Sequence, residues 1–531
     1  MADTASGITV ALVALPLAMA FAIASGVRPD QGIVTAIVGG LLVSALGGSK
    51  VQIAGPAGAF VALLYAITEK YGVANLLIAT MMAGVLLFAM GAFRLGTLVR
   101  FIPVSIVIGF TSGIAVIIAF SQLRDFLGLH IDHMPSNFMS QLPVLAAALH
   151  TASGATFSVG LACILVIVAW PSPQSAKPGN WRYVTAKLPS TVVVLVGSAV
   201  AVWALGLPVE TIASRFGQLP SGLPAPQLPR FDWATAQNLF APTISIALLG
   251  AIESLLCARV ADGLIGDRHD PNQELMAQGI ANFASPLFGG IAVTGTIART
   301  MTNVRSGARS PVAGIVHGVV LLLVLVALGP VAGYIPLTAL AAVLMWVGYN
   351  MVGWQELREL PRFSMLYRAT LLTTLALTVV FDLTVAVQAG LVLSCLFFIY
   401  RMAQITKLEP VALPAAINEG QAARIEAWSL YGTMFFGSVT RIEALLAGGE
   451  SPSKVVVFDM GKVIYIDNTG LDAFENLHRT LARRGARLVL VALNEQPRWL
   501  LERAGFLEEL GPAGTFATLD EALQAAATLR N

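Results

Sequence analysis

The stretch "GGIAVTGTIARTMTNVRSG", residues 289–307, decides how this sequence folds. It consists mainly of small residues and threonines, yet Arg299 lies inside it and long apolar runs follow within a few residues. Gly289-Gly290 is expected to break the helical segment, which predicts a short helix that starts near Thr294. Such a helix cannot cross about 30 Å of hydrocarbon at 1.5 Å per residue. The stretch therefore predicts an interrupted membrane helix that carries an arginine.

The composition around this stretch is that of a polytopic membrane protein. The 531 residues are 56% hydrophobic and only 12% charged, with a net charge of +2 that predicts no nucleic-acid partner. No Walker A, HExxH, GxSxG or CxxC sequence is present, so we expect no enzyme site, no cofactor and no metal. The first residues, "MADTASG", lack a basic region, so the first apolar run is expected to be a true span.

Fourteen apolar segments are predicted before residue 405. They are 8–25, 31–47, 56–68, 74–92, 102–120, 154–170, 189–206, 240–258, 272–287, 294–303, 311–329, 335–349, 365–381 and 383–402. The two short ones, 56–68 and 294–303, are third and tenth, which is the same place in each half of seven. Because seven is odd, the second half must be inverted, and interrupted segments at matching places point to a transporter's binding site. Lysine and arginine are more frequent in the loops on the N-terminal side, which predicts cytoplasmic termini in a bacterial inner membrane.

The composition changes near residue 405, and the tail resembles a soluble domain. "KVVVFDM" (454–460) and "ARLVLVAL" (486–493) are predicted strands, separated by an amphipathic helix. Strands that alternate with helices predict an α/β domain with a mostly parallel sheet. The predicted organisation is a transmembrane domain, 1–405, with repeats about 7–206 and 240–402, followed by a cytoplasmic domain, 411–531.

The two interrupted segments predict an anion site. "IAGPAGAF" (53–60) contains Gly55-Pro56, which can start a helix at Pro56. In an inverted pair both half-helix N-termini would point to the bilayer centre with free N–H groups and partial positive charge. Small residues would let a ligand approach the backbone; they are Ala57, Gly58, Ala59, Thr294 and Gly295. The alternative is a seam where small residues merely pack helices together.

Two charged residues inside the predicted spans are candidates for function. Arg299 would raise the positive potential beneath a bound anion or form an ion pair; alternatively it reaches the interface. Glu253 is the only carboxylate in the middle of a predicted span and could carry a proton as a coupling group. The alternative for Glu253 is a permanent ion pair with Arg299 or Arg259. Few oxygen atoms are expected near it, which favours a proton over sodium, although backbone carbonyls leave a sodium site open.

Two further positions are weaker candidates. Phe21 follows the central Pro16 of the first span and could form a wall of the pocket, or else lie in the core or against lipid. In the tail, "IDNTGLDAF" (466–474) places Thr469 at a turn between strand and helix. Thr469 could be phosphorylated, or the turn could simply cap the helix.

Nearly the whole chain resembles the SulP family of anion transporters, the solute carrier 26 group. The resemblance rests on "VALPLAMAFAIASGVRPDQGI", on "GGSKVQIAGPAGAF", on the long central stretch "ADGLIGDRHDPNQELMAQGIANFASPLFGGIAVTGTIARTMTNVRSGARSPVAGI", and on "FDMGKVIYIDNTGLDAF". The tail resembles the family's STAS domain. At one position the sequence departs from the pattern: many members have Gln after the first-span proline, where this chain has Leu17.

The resemblance implies two inverted repeats divided into core and gate domains, elevator-like alternating access and homodimers. The implied site is lined by Phe21, Ala57, Gly58, Glu253, Thr294, Gly295 and Thr296, with Arg299 behind it. We therefore expect a proton-coupled transporter of a small anion, a dicarboxylate such as fumarate or succinate, or sulfate. The alternatives are sodium-coupled bicarbonate uptake, an anion channel or receptor that signals through the tail and a cytoplasmic protein partner, and a nucleobase transporter.

Overall fold

The computed structural model describes most of the chain in two compact units, Met1–Leu391 and Val392–Asn531. The described residues are 2–97, 103–131, 134–135, 137–171, 189–229, 232–381, 383–413, 425–437 and 454–528. The loop between the sixth and seventh predicted spans, 172–188, lies outside them, as do residue 102 of the fifth span and parts of the predicted tail domain.

The chain is helical up to residue 405, and a helix lies at the place of every predicted span. The long helices are α1 (Ala2–Ala24), α2 (Pro29–Leu46), α3 (Val61–Tyr71), α4 (Val73–Ala92), α5 (Val104–Ser121), α7 (Phe138–Ala148), α8 (Gly154–Ala169), α9 (Ser190–Leu205), α12 (Phe240–Ile265), α13 (Pro271–Leu287), α14 (Ile297–Arg305), α15 (Val312–Ala332), α16 (Leu337–Met351), α18 (Met365–Val380) and α19 (Leu383–Ile405). The short helices are α6 (Leu123–Leu127), α10 (Ile212–Phe216), α11 (Trp233–Asn238) and α17 (Trp354–Arg358).

Several of these helices can cross a bilayer on their own. Among the described residues, six are long and apolar enough by length and composition, and α7 with α8, which meet at 114°, form a seventh candidate. Close packing between them uses small residues: a Cβ on Gly84 of α4 would lie 2.6 Å from Phe283 N of α13. The count of fourteen spans stays a prediction.

The two interrupted segments meet as a short antiparallel ladder. Strand β1 (Ala54–Gly55) pairs with β2 (Thr294–Gly295), with Ala54 opposite Gly295. The predicted helix start at Thr294 is therefore wrong, because Thr294 and Gly295 are extended in the ladder and α14 begins at Ile297. On the other side the chain is still extended at Ala57, and a 3-10 turn, Gly58–Phe60, precedes α3. An antiparallel crossing is what two inverted halves produce.

The second unit contains a five-stranded sheet. The strands are β3 (Lys407–Pro410), β4 (Ile425–Met434), β5 (Val455–Ile466), β6 (Arg487–Val491) and β7 (Thr515–Phe516), in the order β3-β4-β5-β6-β7. Only the β3–β4 pair is antiparallel, which confirms the predicted mostly parallel α/β sheet. The helices are α20 (Asn468–Arg483), α21 (Glu495–Arg503), α22 (Phe506–Leu510) and α23 (Leu519–Thr528). Phe458 of β5 packs edge-on against Phe474 of α20, with ring centroids 5.7 Å apart.

Candidate functional site

The starts of the two half-helices lie together at the β1–β2 crossing. Neither start has a side-chain cap: Ala57 precedes the 3-10 turn and Thr296 precedes α14. The first N–H groups of a helix have no partner within it, and they carry partial positive charge. Because β1 and β2 are paired, these donors are available at one place, which suits an anion.

Phe21 of α1 lies beside the first of these starts. A Cβ on Gly58 would lie 3.2 Å from Phe21 Cε1, 3.1 Å from Met351 Sδ and 3.4 Å from Ile118 Cδ1. Ala57 and Phe21 are both buried. Helices α1, α5 and α16 therefore provide one apolar wall around the 3-10 turn, and sequence reasoning missed the contributions of Ile118 and Met351.

The threonines at the second start hold the crossing together. The Thr294 hydroxyl donates to the carbonyl oxygen of Gly250 over 3.2 Å. The Thr296 hydroxyl and backbone N–H both donate to the carbonyl oxygen of Ile53, each over 2.9 Å. Since both hydroxyl hydrogens are used inside the protein, backbone N–H groups are the donors left for a ligand.

Arg299 lies under the first half-helix start and does not reach the surface. It is 1% exposed, and its Nη2 donates to the carbonyl oxygen of Pro56 over 3.2 Å. A Cβ on Gly55 would lie 2.5 Å from Arg299 Nη1, so glycine is needed there for the guanidinium to fit. Within the described residues Arg299 forms no ion pair, and its charge therefore adds to the positive potential of the crossing.

Glu253 lies on the face of α12 that contacts β2 and α14. Three residues before it, Gly250 accepts the Thr294 hydrogen bond, and four residues after it, Cys257 Sγ donates to Thr300 Oγ1 over 3.2 Å. Glu253 is 6% exposed and has neither a hydrogen bond nor an ion pair among the described residues, Arg299 and Arg259 included. A buried carboxyl group without partners is suited to bind and release a proton.

A second buried carboxylate, Glu274 of α13, was missed by sequence reasoning. Its Oε2 accepts from the N–H groups of Gly48 and Ser49 at 3.0 and 3.2 Å. Its Oε1 accepts from Gln52 Nε2 at 3.0 Å and from Ser254 Oγ and Gln278 Nε2 at 3.1 Å. Five donors satisfy this carboxylate, which ties the segment before β1 to α12 and α13.

Glu274 supports the site through Gln52. A Cβ on Gly295 would lie 2.0 Å from Gln52 Nε2, so Gln52 fills the space behind β2. Asn282, two turns after Glu274, accepts from Val293 N and donates to Val293 O, at 2.9 and 2.8 Å, and holds the approach to β2. The signal in the sequence was a polar residue at every fourth position of an apolar helix, Glu274, Gln278 and Asn282.

Two further polar contacts lie outside the membrane-spanning segments. Lys50 Nζ donates to Asp267 Oδ2 over 2.6 Å, which lowers the pKa of that carboxyl below its ordinary value and joins the loop before β1 to the loop before α13. In the tail, Asp467 caps α20 by accepting from Gly470 N over 2.8 Å. Thr469 is exposed in the first turn of α20, and its phosphorylation stays a prediction.

Comparison with known proteins identifies relatives of both parts of the chain. Residues 1–376 match the sulfate permease family, and residues 425–522 match the STAS domain. The sequence is 40% identical to "Putative sulfate transporter YvdB" of Bacillus subtilis (strain 168) over 98% of this chain and 96% of that protein. The transmembrane domain of a cyanobacterium bicarbonate transporter, BicA, has a TM-score of 0.64 and 30% identity, covering 72% of this chain and 96% of its own.

A second solved structure covers both units. The murine Slc26a9 anion transporter in the inward-facing state has a TM-score of 0.87 and covers 99% of this chain and 91% of its own. At 18% identity this likeness concerns the fold alone. The sulfate permease family consists of transporters and not of enzymes, which confirms the resemblance drawn from the sequence. The chain is an anion transporter that belongs to the sulfate permease (SulP, solute carrier 26) family and carries a C-terminal STAS domain.

Proposed function

We propose that this protein is a proton-coupled symporter of a small dianion, sulfate or a dicarboxylate such as fumarate or succinate. The observation that carries the proposal is Glu253, a buried carboxyl group that has no partner among the described residues and lies on the helix face that contacts the crossing. The protein would act in the bacterial inner membrane with both termini in the cytoplasm.

Charge repulsion provides the coupling. Two half-helix N-termini and Arg299 supply the positive potential that holds an anion. An ionised Glu253 would repel that anion across a low-dielectric space, whereas a protonated Glu253 would not. Anion and proton therefore favour each other's binding, and by linkage the effect is reciprocal. A carrier that moves mainly in its doubly loaded or empty form is a symporter.

The arrangement of helices supports elevator-like alternating access. The β1–β2 ladder and the Arg299–Pro56 hydrogen bond join both half-helices into one body. Ile118 of α5 and Met351 of α16 border the site only through apolar contacts. Such contacts can slide, so the body that holds the anion can move past α5 and α16 and open the site to each side in turn.

Sodium-coupled bicarbonate uptake is the second candidate. It is favoured by the likeness to the BicA transmembrane domain, which is described as a bicarbonate transporter. Carbonyl oxygens of the interrupted segments and Glu253 would have to supply the oxygen ligands of the cation. The carbonyls of Gly250 and Ile53 already accept hydrogen bonds, which leaves fewer ligands and favours the proton.

Uptake into proteoliposomes of the purified full chain tests the proposal. Labelled sulfate, fumarate and bicarbonate are offered with an inward proton gradient and, separately, an inward sodium gradient. Accumulation of sulfate or fumarate driven by protons alone is expected. Sodium-driven bicarbonate uptake would show that the proposed substrate and coupling ion are wrong, but it would leave the proposed binding site unchanged. Rapid anion flux without accumulation under either ion gradient would indicate a channel and contradict the symporter.

The same proposal includes a homodimer and a regulatory or assembly role for the STAS domain with a cytoplasmic protein partner. Light scattering of the detergent-solubilised full chain would report the mass. A monomer at all concentrations would remove the dimer from the proposal without affecting the site.

A further inference from the structure

Among the buried side chains of the first unit that have polar atoms without a hydrogen-bond partner in the described residues, three lie near β1. The atoms are Arg299 Nη1, both ring nitrogens of His317, and Ser44 Oγ. The side chains are 1%, 0% and 5% exposed. Buried polar atoms are normally hydrogen-bonded, so several orphans in one place call for a common explanation.

The orphaned groups surround β1 from the side of α2 and α15. A Cβ on Gly40 of α2 would lie 3.2 Å from the carbonyl oxygen of Ala54 and 3.7 Å from His317 Cδ2. His317 therefore lies over Gly40, close to the backbone of β1. One turn along both helices, a Cβ on Gly314 would lie 2.1 Å from Ser44 Oγ. The seam between α2 and α15 thus contains two pairs, each a glycine facing a polar side chain.

Arg299 borders the same seam. Its Nη1 lies over Gly55, the residue after Ala54, and Arg299 interacts electrostatically with His317. A guanidinium has only donors, whereas a neutral imidazole has one acceptor and one donor and a hydroxyl has both. The orphaned atoms are therefore complementary, yet none of them is bonded to another. A water molecule with two to four polar partners is the usual link between such groups.

We propose that ordered water occupies the seam between Arg299 and His317, within reach of Ser44, and that His317 is a positioning residue for Arg299. The water accepts a hydrogen bond from Arg299 Nη1 and donates to the free imidazole nitrogen. That link holds the guanidinium over Gly55 and against Pro56. The presence of the water does not depend on any substrate, whereas the positioning role rests on the proposed function.

Radiolytic footprinting of the full chain tests the water without any transport assay. Hydroxyl radicals formed from bound water oxidise adjacent side chains even where bulk water is absent. We expect His317 to be oxidised faster than Met19, which is also 0% exposed but lies inside an apolar cluster. Methionine reacts more readily than histidine, so this control is stringent. Oxidation of His317 no faster than that of Met19 would overturn the proposal.

Two substitutions test the positioning role. The measured quantity is the KM for whichever of labelled sulfate, fumarate or bicarbonate the proteoliposomes accumulate. His317→Leu is expected to raise KM about tenfold with little change in the maximal rate. His317→Gln, which keeps a hydrogen-bonding group, is expected to have a KM close to that of the unaltered protein. In an Arg299→Gln background, His317→Leu should add nothing, because coupled residues are non-additive.

The role of His317 would be contradicted if His317→Leu and His317→Gln raised KM equally. It would also be contradicted if the effects of His317→Leu and Arg299→Gln on the free energy of anion binding were additive. Ser44→Ala offers a milder variant should His317→Leu fail to fold. It removes one hydrogen-bond partner of the water, so the water should be less ordered and the oxidation of His317 slower. Labelling of His317 unchanged by Ser44→Ala would exclude Ser44 from the water site. Failure of all uptake with normal labelling would count against the proposed function and leave the water in place.

Discussion

Arg299 of the second half-helix donates a hydrogen bond to the carbonyl oxygen of Pro56, 3.2 Å away, at the start of the first. A residue of the second interrupted segment thereby binds the backbone of the first. The bond joins the same two segments that pair in the β1–β2 ladder, so side chain and backbone hold the two halves at one place. Within the part of the chain that the structure describes, the guanidinium of Arg299 is therefore held by backbone geometry and not by an acidic partner.

Arg299→Lys is expected to weaken anion binding although it keeps the charge. A lysine ammonium is a compact point donor and cannot reproduce the planar fork that reaches Pro56 beneath Gly55. We expect KM for the transported anion to rise about tenfold, a change of roughly 1.4 kcal/mol. Uptake kinetics in proteoliposomes measure it, and an unchanged KM would mean that charge alone matters.

Gly55→Ala is expected to displace the guanidinium. The new Cβ would lie 2.5 Å from Arg299 Nη1, and overpacking of this kind costs roughly 1–3 kcal/mol. We predict a lower unfolding midpoint and a raised KM. Gly263→Ala is the matched control, since a Cβ there on α12 meets nothing within 4 Å. Equal behaviour of the two variants would refute the close contact.

Glu253→Gln is expected to abolish proton-driven accumulation while the protein stays folded. An amide cannot release a proton but fills the same space, so the anion can still bind and exchange across the membrane. Counterflow of labelled anion should persist, whereas a pH gradient should no longer concentrate it. Accumulation at the level of the unaltered protein would remove Glu253 from the coupling step.

Glu274→Gln is expected to destabilise the first unit strongly. The amide presents an NH2 group to at least two of the five donors, and each hydrogen bond to a buried charge contributes roughly 1.5–3 kcal/mol. A large fall in the thermal midpoint should accompany poor expression. Glu508→Gln, at an exposed position in the tail, should leave the midpoint unchanged. A stable Glu274→Gln protein would show that the network is dispensable.

Asp467→Ala tests the tail separately. Loss of an N-cap costs about 1 kcal/mol, so amides in the first turns of α20 should exchange with solvent faster in the full chain. Unchanged exchange there would mean that packing of Phe474, and not the cap, fixes this helix.

The spans and their interruptions could be predicted because burial in lipid demands long apolar runs and Gly-Pro or Gly-Gly breaks stand out within them. The helix start at Thr294 was misplaced by three residues, since the sequence near it does not reveal that Ala54–Gly55 would pair with it. Strand pairing across such a separation is a tertiary effect. The α/β tail was predictable from its alternating pattern alone.

The supporting polar residues were harder to find for a different reason. Glu274 follows Pro271 by three residues, a spacing typical of an acid in an exposed first turn, yet it is fully buried. His317 is a lone polar residue in an apolar helix, and only the packing of α2 against α15 brings it near Arg299. The burial of a residue and its proximity to other groups depend on neighbours that are far away in the chain. The sequence of a single helix does not reveal which neighbours these are.

The Arg299–Pro56 contact also implies a delay during biogenesis, because its two residues are synthesised at different times. The two residues are 243 positions apart, and translation at roughly 5–20 residues per second separates their synthesis by roughly 12–50 s. During that interval the first half-helix start lies in or near the membrane with its ladder partner not yet made. We therefore expect the nascent chain to depend on the insertion machinery to shelter this break until the second half arrives.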